Sequence, residues 1–446
     1  MTIAVESVRM GSVRAGFQSR GFSAAEARLH PSLWREVPAR AAAFALYAED
    51  TNAEPYVGRT PNLRARLRRL LEPSEKHPRR LHLANLVRRV EWRETGSEFE
   101  ALLAQFNLLV ELYAARGRAE EALRRMHLRA PAYLRYLGSN PHPRLTVTTR
   151  PSRREAQWAF GPFASGAAAE RYMDEVLKLF LLRRCVEDLE CSPAHPGCAY
   201  GEMKMCLAPC QMACTPERYA EESAAVVRFI GTRGESKLAE LRVARDVASA
   251  NLEFERAAEI HGQIEKVEAV AALAPELVRP LHQTRALLLQ SAPEHKEAAA
   301  PEVNLFMFED GHFSGPVEFS TLGMRLQNEH SGSSSLFAQP VMMAPVPERD
   351  EAIKMPGTAQ ASRDELVARF EAALVELQAD STVQNTQLQQ GHLALLKRWY
   401  YRPSTKREGE IFFPDEKGAW PVKAVLRGIG RVAANQLASV AKETSA

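Results

Sequence analysis

The apolar and polar positions of the chain first fall into regular patterns near residue 41. Two runs, AAAFALY and EPYVG, have the length and apolar character of short strands, and AEDTNA between them is typical of a turn. Two helices follow: NLRARLRRLL, which Asn62 can cap, and SEFEALLAQFNLLVELYAARG, which Gly117 can end. The pattern predicts a small α/β unit over 41–117, after an Arg- and Ala-rich lead-in over 1–40.

The rest of the chain divides into further segments by the same criteria. RLTVTTR predicts a strand, and EVNLFMFEDGHFSGPVEFS predicts a hairpin that turns at Asp310 and Gly311. The segments are a connecting α/β segment over 118–180, a Cys-rich segment over 181–215, about two helices over 216–275, a β-rich segment over 276–330, a linker over 331–362 and a helical region over 363–446. The expected fold class is α/β, followed by the Cys-rich segment, a helical hairpin and an α+β C-terminal region.

Composition adds little except in the distribution of charge. The 446 residues are 45% hydrophobic and 25% charged, which is ordinary for globular proteins and selects no function. The net charge is only +3, but Arg59 to Arg93 holds eleven Lys/Arg against three Asp/Glu. Such a block suits the phosphate backbone of nucleic acid, and a solvated helix face is an equally good explanation.

All six cysteines lie between Cys185 and Cys214. The sequence shows no signal peptide and no apolar stretch long enough to span a bilayer, so we expect a cytoplasmic protein without a membrane partner. Thiols are kept reduced in that compartment, and their crowding then favours metal ligation over disulfides. Spacing alone does not separate zinc from a [4Fe–4S] cluster.

The two predicted strands also carry the first family signature. Ala-Leu-Tyr, ending at Tyr47, is followed after eight residues by Tyr-Val-Gly, beginning at Tyr56. This spacing resembles the GIY-YIG nuclease signature, and the resemblance implies a small mixed sheet with helices. The continuation YVGRTPNLRARLRRLL and the segment SEFEALLAQFNLL are similar to the incision protein UvrC of bacterial nucleotide excision repair, in the same register. The chain therefore resembles the N-terminal half of UvrC proteins.

The resemblance implies a set of nuclease residues and also a defect. Tyr47 and Tyr56 take the positions of the family's tyrosines and Arg66 that of the arginine that contacts the scissile phosphate. The glutamate that holds a divalent metal falls on Gln105, and an asparagine of the family falls on Gly117. A neutral amide binds Mg²⁺ poorly. We therefore expect a degenerate site; the alternative is an active, Mg²⁺- or Mn²⁺-dependent endonuclease that makes one incision in damaged DNA.

The basic residues around this site are candidates for DNA contact. They are Arg59, Arg64, Arg68 and Arg69. If the nuclease is degenerate, Tyr47, Tyr56 and Arg66 would persist as packing and DNA-contact residues.

Four of the six cysteines match the four-cysteine segment of UvrC. They are Cys185, Cys198, Cys206 and Cys210, within LRRC and GCAYGEMKMCLAPC. The resemblance implies a [4Fe–4S] cluster, with zinc as the alternative. Cys191 and Cys214 are additional to the pattern.

The segment 236–273 is the third match. Within it, LEFERAAEIHGQI resembles the UVR motif, the helical hairpin by which UvrC and UvrB bind each other. The resemblance implies a UvrB-like partner, with Phe254, Ala258 and Ile264 on the binding stripe. An ordinary amphipathic core helix would show the same stripe.

Beyond about residue 275 the resemblance fades. HLALLKRWYYRPSTKREGEIFF combines aromatic and basic residues, which suits nucleic-acid stacking, or else a core helix that ends near Pro403 and leads into a strand. The function hypotheses are a UvrC-like repair protein that binds DNA and a UvrB-like partner, a single-incision endonuclease, and a generic RNA- or nucleic-acid-binding protein.

Overall fold

The computed structural model describes residues 16–22, 33–50, 52–72, 83–151, 157–294, 298–324, 361–379 and 386–444. The predicted linker over 331–362 lies almost wholly outside them. The strands are β1 (Gln18–Gly21), β2 (Ala42–Ala48), β3 (Tyr56–Thr60), β4 (Val87–Glu94), β5 (Ala132–Tyr136), β6 (Leu145–Thr148), β7 (Ala159–Phe163), β8 (Arg279–Pro280), β9 (Ala286–Ser291), β10 (Glu302–Glu309), β11 (His312–Ser320) and β12 (Glu410–Phe412). The helices are α1 (Leu33–Glu36), α2 (Leu63–Leu71), α3 (Glu98–Ala114), α4 (Glu121–Arg125), α5 (Gly166–Leu179), α6 (Ala199–Glu202), α7 (Pro216–Gly231), α8 (Glu235–Ala250), α9 (Phe254–Ala271), α10 (Arg363–Ala379), α11 (Thr386–Tyr400) and α12 (Val422–Thr444).

These elements form three small sheets with helices against them, so the predicted α/β class is confirmed. The strand orders are β1-β4-β2-β3, β6-β5-β7-β8 and β11-β10-β9-β12. The first sheet is antiparallel throughout rather than mixed: a turn joins β2 to β3, and β4 pairs antiparallel with both β2 and β1. Its edge strand β1 comes from the segment predicted as a lead-in.

The helix α2 covers one face of the first sheet, as its leucine pattern predicts. The Asn62 side chain accepts a hydrogen bond from the backbone N–H of Ala65 at 2.9 Å and so caps the helix. Four leucines spaced for one helical face are buried against the sheet: Leu63, Leu67, Leu70 and Leu71. The local sequence therefore fixes both the start of this helix and its packing face.

The second sheet packs against α5 and a bundle of three helices, α7, α8 and α9. The sequence pattern predicted about two helices here; Gly234, in a left-handed conformation with φ +91°, breaks the stretch between α7 and α8. The core of this part includes Tyr172, Tyr219 and Phe229, each at most 1% exposed. The Cys-rich segment lies between α5 and α7.

The third sheet is covered on both faces. The predicted hairpin is confirmed, because Asp310 and Gly311 both have positive φ and turn β10 into β11. Alternate residues of β9 face α10 and α12 on one side and α3 and α11 on the other. The stretch of aromatic and basic residues is a core helix followed by a strand, since Trp399 of α11 is 4% exposed and its Nε1 donates to the carbonyl of Glu408 at 2.9 Å.

The helix α3 is shared by the first and third sheets. Phe99 packs edge-on against Phe313, with ring centroids 5.1 Å apart, and the buried Glu100 accepts a hydrogen bond from Asn304 Nδ2 at 3.0 Å. Further along α3, Asn107 Oδ1 lies 2.7 Å from Nε2 of His392 in α11. The helix α3 therefore joins the N-terminal unit to the C-terminal region, and its apolar face shares a core with the third sheet and α11.

Candidate functional site

Tyr56 and Arg66 form a hydrogen-bonded pair at the edge of the first sheet. Tyr56 begins β3, and Arg66 lies near the start of α2. An Nη2–H of Arg66 donates to the Tyr56 hydroxyl at 2.8 Å, and the Tyr56 ring packs beside Phe44 with centroids 6.1 Å apart. Both side chains are half-buried, so the sheet positions the pair while part of each side chain remains accessible to solvent.

Tyr47 lies on the opposite face of the same sheet. Leu46 is the cross-strand neighbour of Tyr56, and successive residues of a strand point to opposite faces. The Tyr47 hydroxyl donates to Glu91 Oε2 at 2.8 Å, and the Arg89 guanidinium lies 4.2 Å from the centre of its ring. The structure therefore brings Tyr56 together with Arg66, and Tyr47 together with Glu91 and Arg89.

Gln105 lies on α3 within reach of Arg59. Its Oε1 accepts a hydrogen bond from Nη1 of Arg59 at 3.2 Å. The same guanidinium lies 3.7 Å from a carboxylate oxygen of Glu98, the first residue of α3. Gly117 follows the end of α3 with φ +69°, so it occupies the left-handed position that stops the helix.

The four arginines predicted to contact DNA differ in availability. The Arg64 guanidinium donates to the backbone carbonyls of Val37 at 2.8 Å and Arg35 at 3.2 Å, so it holds α1 against α2. Arg68 pairs with Glu72 at the surface, and Arg69 is exposed. Arg68 and Arg69 are therefore the more accessible cations of α2.

The Cys-rich segment folds as a compact loop. Ala208 and Met212 both adopt left-handed backbone conformations, which turn the chain on either side of the short 3₁₀ helix Pro209–Gln211. The sulfur of Cys206 accepts a hydrogen bond from the backbone N–H of Ala208 at 3.4 Å.

The four matched cysteines lie close to one another in this loop. Burial raises the pKa of the Cys206 thiol to about 11, and the neighbouring thiols contribute in the same direction: Cys185, Cys198 and Cys210. Within the described ranges, no three histidine, cysteine or acidic side chains are already arranged to hold a metal ion. The loop thus gathers the four sulfurs without closing them around a single point.

A buried arginine lies beside Cys185, the first of the four cysteines. Arg183 is 1% exposed; its Nη1 donates to the carbonyl of Glu187 at 2.8 Å and lies 3.6 Å from the sulfur of Cys185. Its Nη2 has no hydrogen-bond partner among the described residues. A buried cation needs nearby negative charge, and thiolates around a cluster or a zinc ion would provide it. The residues present therefore fit an anionic cysteine-ligated centre.

The two additional cysteines lie at the margin of this loop. Cys191 is exposed, and its sulfur is 3.7 Å from Nδ1 of His142 in the loop between β5 and β6. Cys214 is half-buried just before α7. Both have neighbours outside the group of four.

The helices α8 and α9 pair as a hairpin with an apolar outer end. Phe254, at the start of α9, is 66% exposed, and Ala258 one turn later is also exposed. Ile264 is only 4% exposed and packs in the core of the second sheet, so the outer surface of the hairpin does not include it. Three apolar residues that the sequence stripe did not single out are exposed on the same hairpin: Val243, Val247 and Leu252.

Residues 132–229 match the model of the UvrC/Cho excinuclease middle domain. The UvrABC system protein C of Carboxydothermus hydrogenoformans is 31% identical over 51% of this chain and 36% of its own length. The protein of the same name from Desulforudis audaxviator is 33% identical over 52% of this chain and 36% of its own length. The one from Alcanivorax borkumensis is 31% identical over 48% of this chain and 34% of its own length. About half of this chain is UvrC-like. The chain spans about a third of the length of these relatives, and no solved structure matches it.

The UvrC-like middle region, 132–229, encloses all six cysteines. Arg183 and His142 also lie inside it, and sequence reasoning missed both because a lone arginine or histidine carries no spacing signal. Glu91 was missed as the partner of Tyr47 for the same reason. No helix in the described part of this UvrC-like chain is both long and apolar enough to cross a membrane.

Proposed function

We propose that this chain is a nucleotide-excision-repair protein of the UvrC type that binds DNA and a UvrB-like partner, with a degenerate nuclease site. The observation that carries the proposal is the hydrogen bond between Gln105 and Arg59. Where the resemblance puts a metal-binding carboxylate, a neutral amide is engaged by an arginine. An amide brings no charge to a divalent cation, which weakens Mg²⁺ binding and therefore catalysis.

The remaining groups of the site still suit a phosphodiester. Cleavage needs a deprotonated nucleophile and positive charge at the transition state. Arg66 would contact a phosphate. Tyr56 accepts a hydrogen bond from Arg66 and would orient the Arg66 guanidinium group. This pair favours the alternative of a single-incision endonuclease if another group holds the metal.

The first experiment measures nicking of a lesion-bearing duplex in the presence of UvrA, UvrB and Mg²⁺ or Mn²⁺. We expect the natural protein to leave the duplex intact, and Gln105→Glu to raise the nicking rate by about 10²-fold over background, the order contributed by one charged group at a transition state. Gln105→Ala is the matched control, because it removes the amide without adding a carboxylate. Cutting by the natural protein would establish the endonuclease alternative instead.

We further propose that the thiolates of Cys185, Cys198, Cys206 and Cys210 hold a [4Fe–4S] cluster, with zinc as the alternative. Such a centre would supply a rigid, negatively charged crosslink within the loop. The buried Arg183 would balance that charge, and the N–H of Ala208 would orient the Cys206 sulfur. The centre would brace the UvrC-like middle region beside DNA.

The partner surface is assigned to the outer end of the α8–α9 hairpin. Burying an exposed phenylalanine at a helix start has a small desolvation cost and a large favourable free energy from the hydrophobic effect. Such a residue is typical of an interface anchor. Two short helices with exposed apolar residues are suited to pair with a like hairpin.

Phe254→Ala should lower the affinity for a UvrB-like protein by about tenfold or more, the loss typical of an aromatic hot spot. The affinity for DNA should stay unchanged, because Phe254 carries no charge. A pull-down with a UvrB-like protein, with DNA binding measured in parallel, checks both statements. Val375→Ala on α10 is the control, since Val375 is also 66% exposed. Equal capture of the two variants would refute the assignment.

A further inference from the structure

Three arginines from distant parts of the chain act on Glu98, the first residue of the helix that carries Gln105. Arg402, just after α11, makes two hydrogen bonds to Glu98 of α3, at 2.9 and 3.0 Å, although the two residues are 304 positions apart. Arg59 of β3 lies 3.7 Å from the same carboxylate. Arg398 of α11 is exposed and close enough to act electrostatically on both Arg59 and Glu98. We call Arg59, Arg398 and Arg402 the shared arginine site.

The charges at this site do not cancel. Glu98 interacts with all three guanidinium groups. The hydrogen bonds from Arg402 and the positive charges of the three arginines lower the pKa of Glu98, whereas burial raises it. Burial lowers the pKa of Arg59, and repulsion from the other two arginines lowers it further against the attraction of Glu98. Glu408 acts on Arg402 as the second carboxylate. Three cations against two anions leave one positive charge in excess.

The Gln105 side chain is neutral and therefore does not cancel this excess positive charge. Its Oε1 accepts a hydrogen bond from Arg59, and its amide nitrogen is a neutral hydrogen-bond donor. A carboxylate at the same position would pair with Arg59 and cancel the excess. The Arg59 and Arg402 side chains are 35% and 27% exposed, so an anion from solvent can reach both.

We propose that the shared arginine site binds a phosphodiester of a nucleic-acid backbone, with Gln105 as an additional donor. Planar guanidinium groups match the oxygen geometry of a phosphate, and a partly buried site strengthens each charge-assisted hydrogen bond. The inference rests on the proposed DNA binding and adds that the C-terminal region supplies part of the contact surface. Arg398 and Arg402 thereby link α11 to the same nucleic acid as the first sheet.

The test is the affinity of the full chain for a fluorescent DNA duplex, measured by anisotropy from about 50 to 200 mM salt. Arg398→Gln should weaken binding about 3- to 10-fold and reduce the slope of log affinity against log salt by about 0.9. Gln105→Glu should weaken binding by a similar factor, because it neutralises Arg59. Arg171→Gln on α5 makes the same charge change away from the site and should have less than about a twofold effect.

The outcomes separate the site from the proposed function. If the natural protein binds the duplex and Arg398→Gln matches it in affinity and salt slope, the site is overturned while DNA binding stands. If the natural protein does not bind the duplex, both ideas fall. Inorganic phosphate is the other source of the same ligand chemistry, and calorimetry measures whether the protein binds it. Phosphate binding that Arg398→Gln abolishes, with DNA affinity unchanged, would overturn the nucleic-acid assignment.

Discussion

Replacing Gly391 by alanine should lower the free energy of unfolding by about 3 kcal/mol, the upper range for overpacking a core. Gly391 lies on α11 where that helix crosses α3, and a methyl group there would overlap the ring of Phe106. Phe106 is fully buried, so the ring has no free space to enter. The two helices would have to separate, and the hydrogen bond between Asn107 and His392 would break with them.

The measurement is the midpoint of chemical denaturation, with Gly262→Ala as the control. Gly262 is also in a helix, α9, but no described residue lies within 4 Å of the new methyl group. That variant should gain about 0.5–1 kcal/mol from helix propensity alone. If the two glycine variants are equally stable, α11 does not pack on α3 through this contact.

Replacing Cys206 by serine should abolish binding of the proposed [4Fe–4S] cluster to the Cys-rich loop. Anaerobically purified natural protein is expected to be brown and to contain about four iron atoms per chain, the content of one [4Fe–4S] cluster. Cys206→Ser should be nearly colourless and melt at a lower temperature, because the loop loses its crosslink and Arg183 loses its counter-charge. Iron analysis, the visible absorption spectrum and a thermal melt check these statements.

Cys191→Ser is the matched control, since Cys191 lies at the margin of the loop near His142. It should keep its colour and its iron. Colourless natural protein with one zinc ion per chain would replace the cluster by zinc. Natural protein with neither metal would overturn the ligation of these cysteines altogether.

The Gly391 prediction concerns a long-range contact that joins the UvrC-like half to the C-terminal region. The α3 helix carries Gln105 on the side where Arg59 and the C-terminal α11 meet, so the nuclease-like site and the C-terminal region share one surface. A change in either part is therefore expected to affect DNA binding by the other. The proposed coupling would assign nucleic-acid contact to the aromatic and basic stretch of the C-terminal region, one of the two roles that its sequence suggested.

The sequence by itself determined the local structure and the candidate chemistry. Short apolar runs on either side of a turn predicted β2 and β3, and leucine spacing predicted α2, because such runs, side-chain period and helix caps depend on near neighbours alone. The turn at Asp310 and Gly311 followed from residues that tolerate positive φ. The crowding of six cysteines pointed to metal ligation for the same local reason, and the order of motifs pointed to the UvrC-like half.

Only the tertiary structure decided which of these residues meet. The contact between Glu100 and Asn304 spans 204 positions, and no local pattern encodes such a pairing. Ile264 fits the apolar stripe of α9, yet the stripe does not say whether its face is covered by this chain or by a partner. The opposite faces of Tyr47 and Tyr56 follow from strand register, which pairing across the sheet sets. Periodicity fixes a residue's place on its own element; packing between elements fixes what that residue touches.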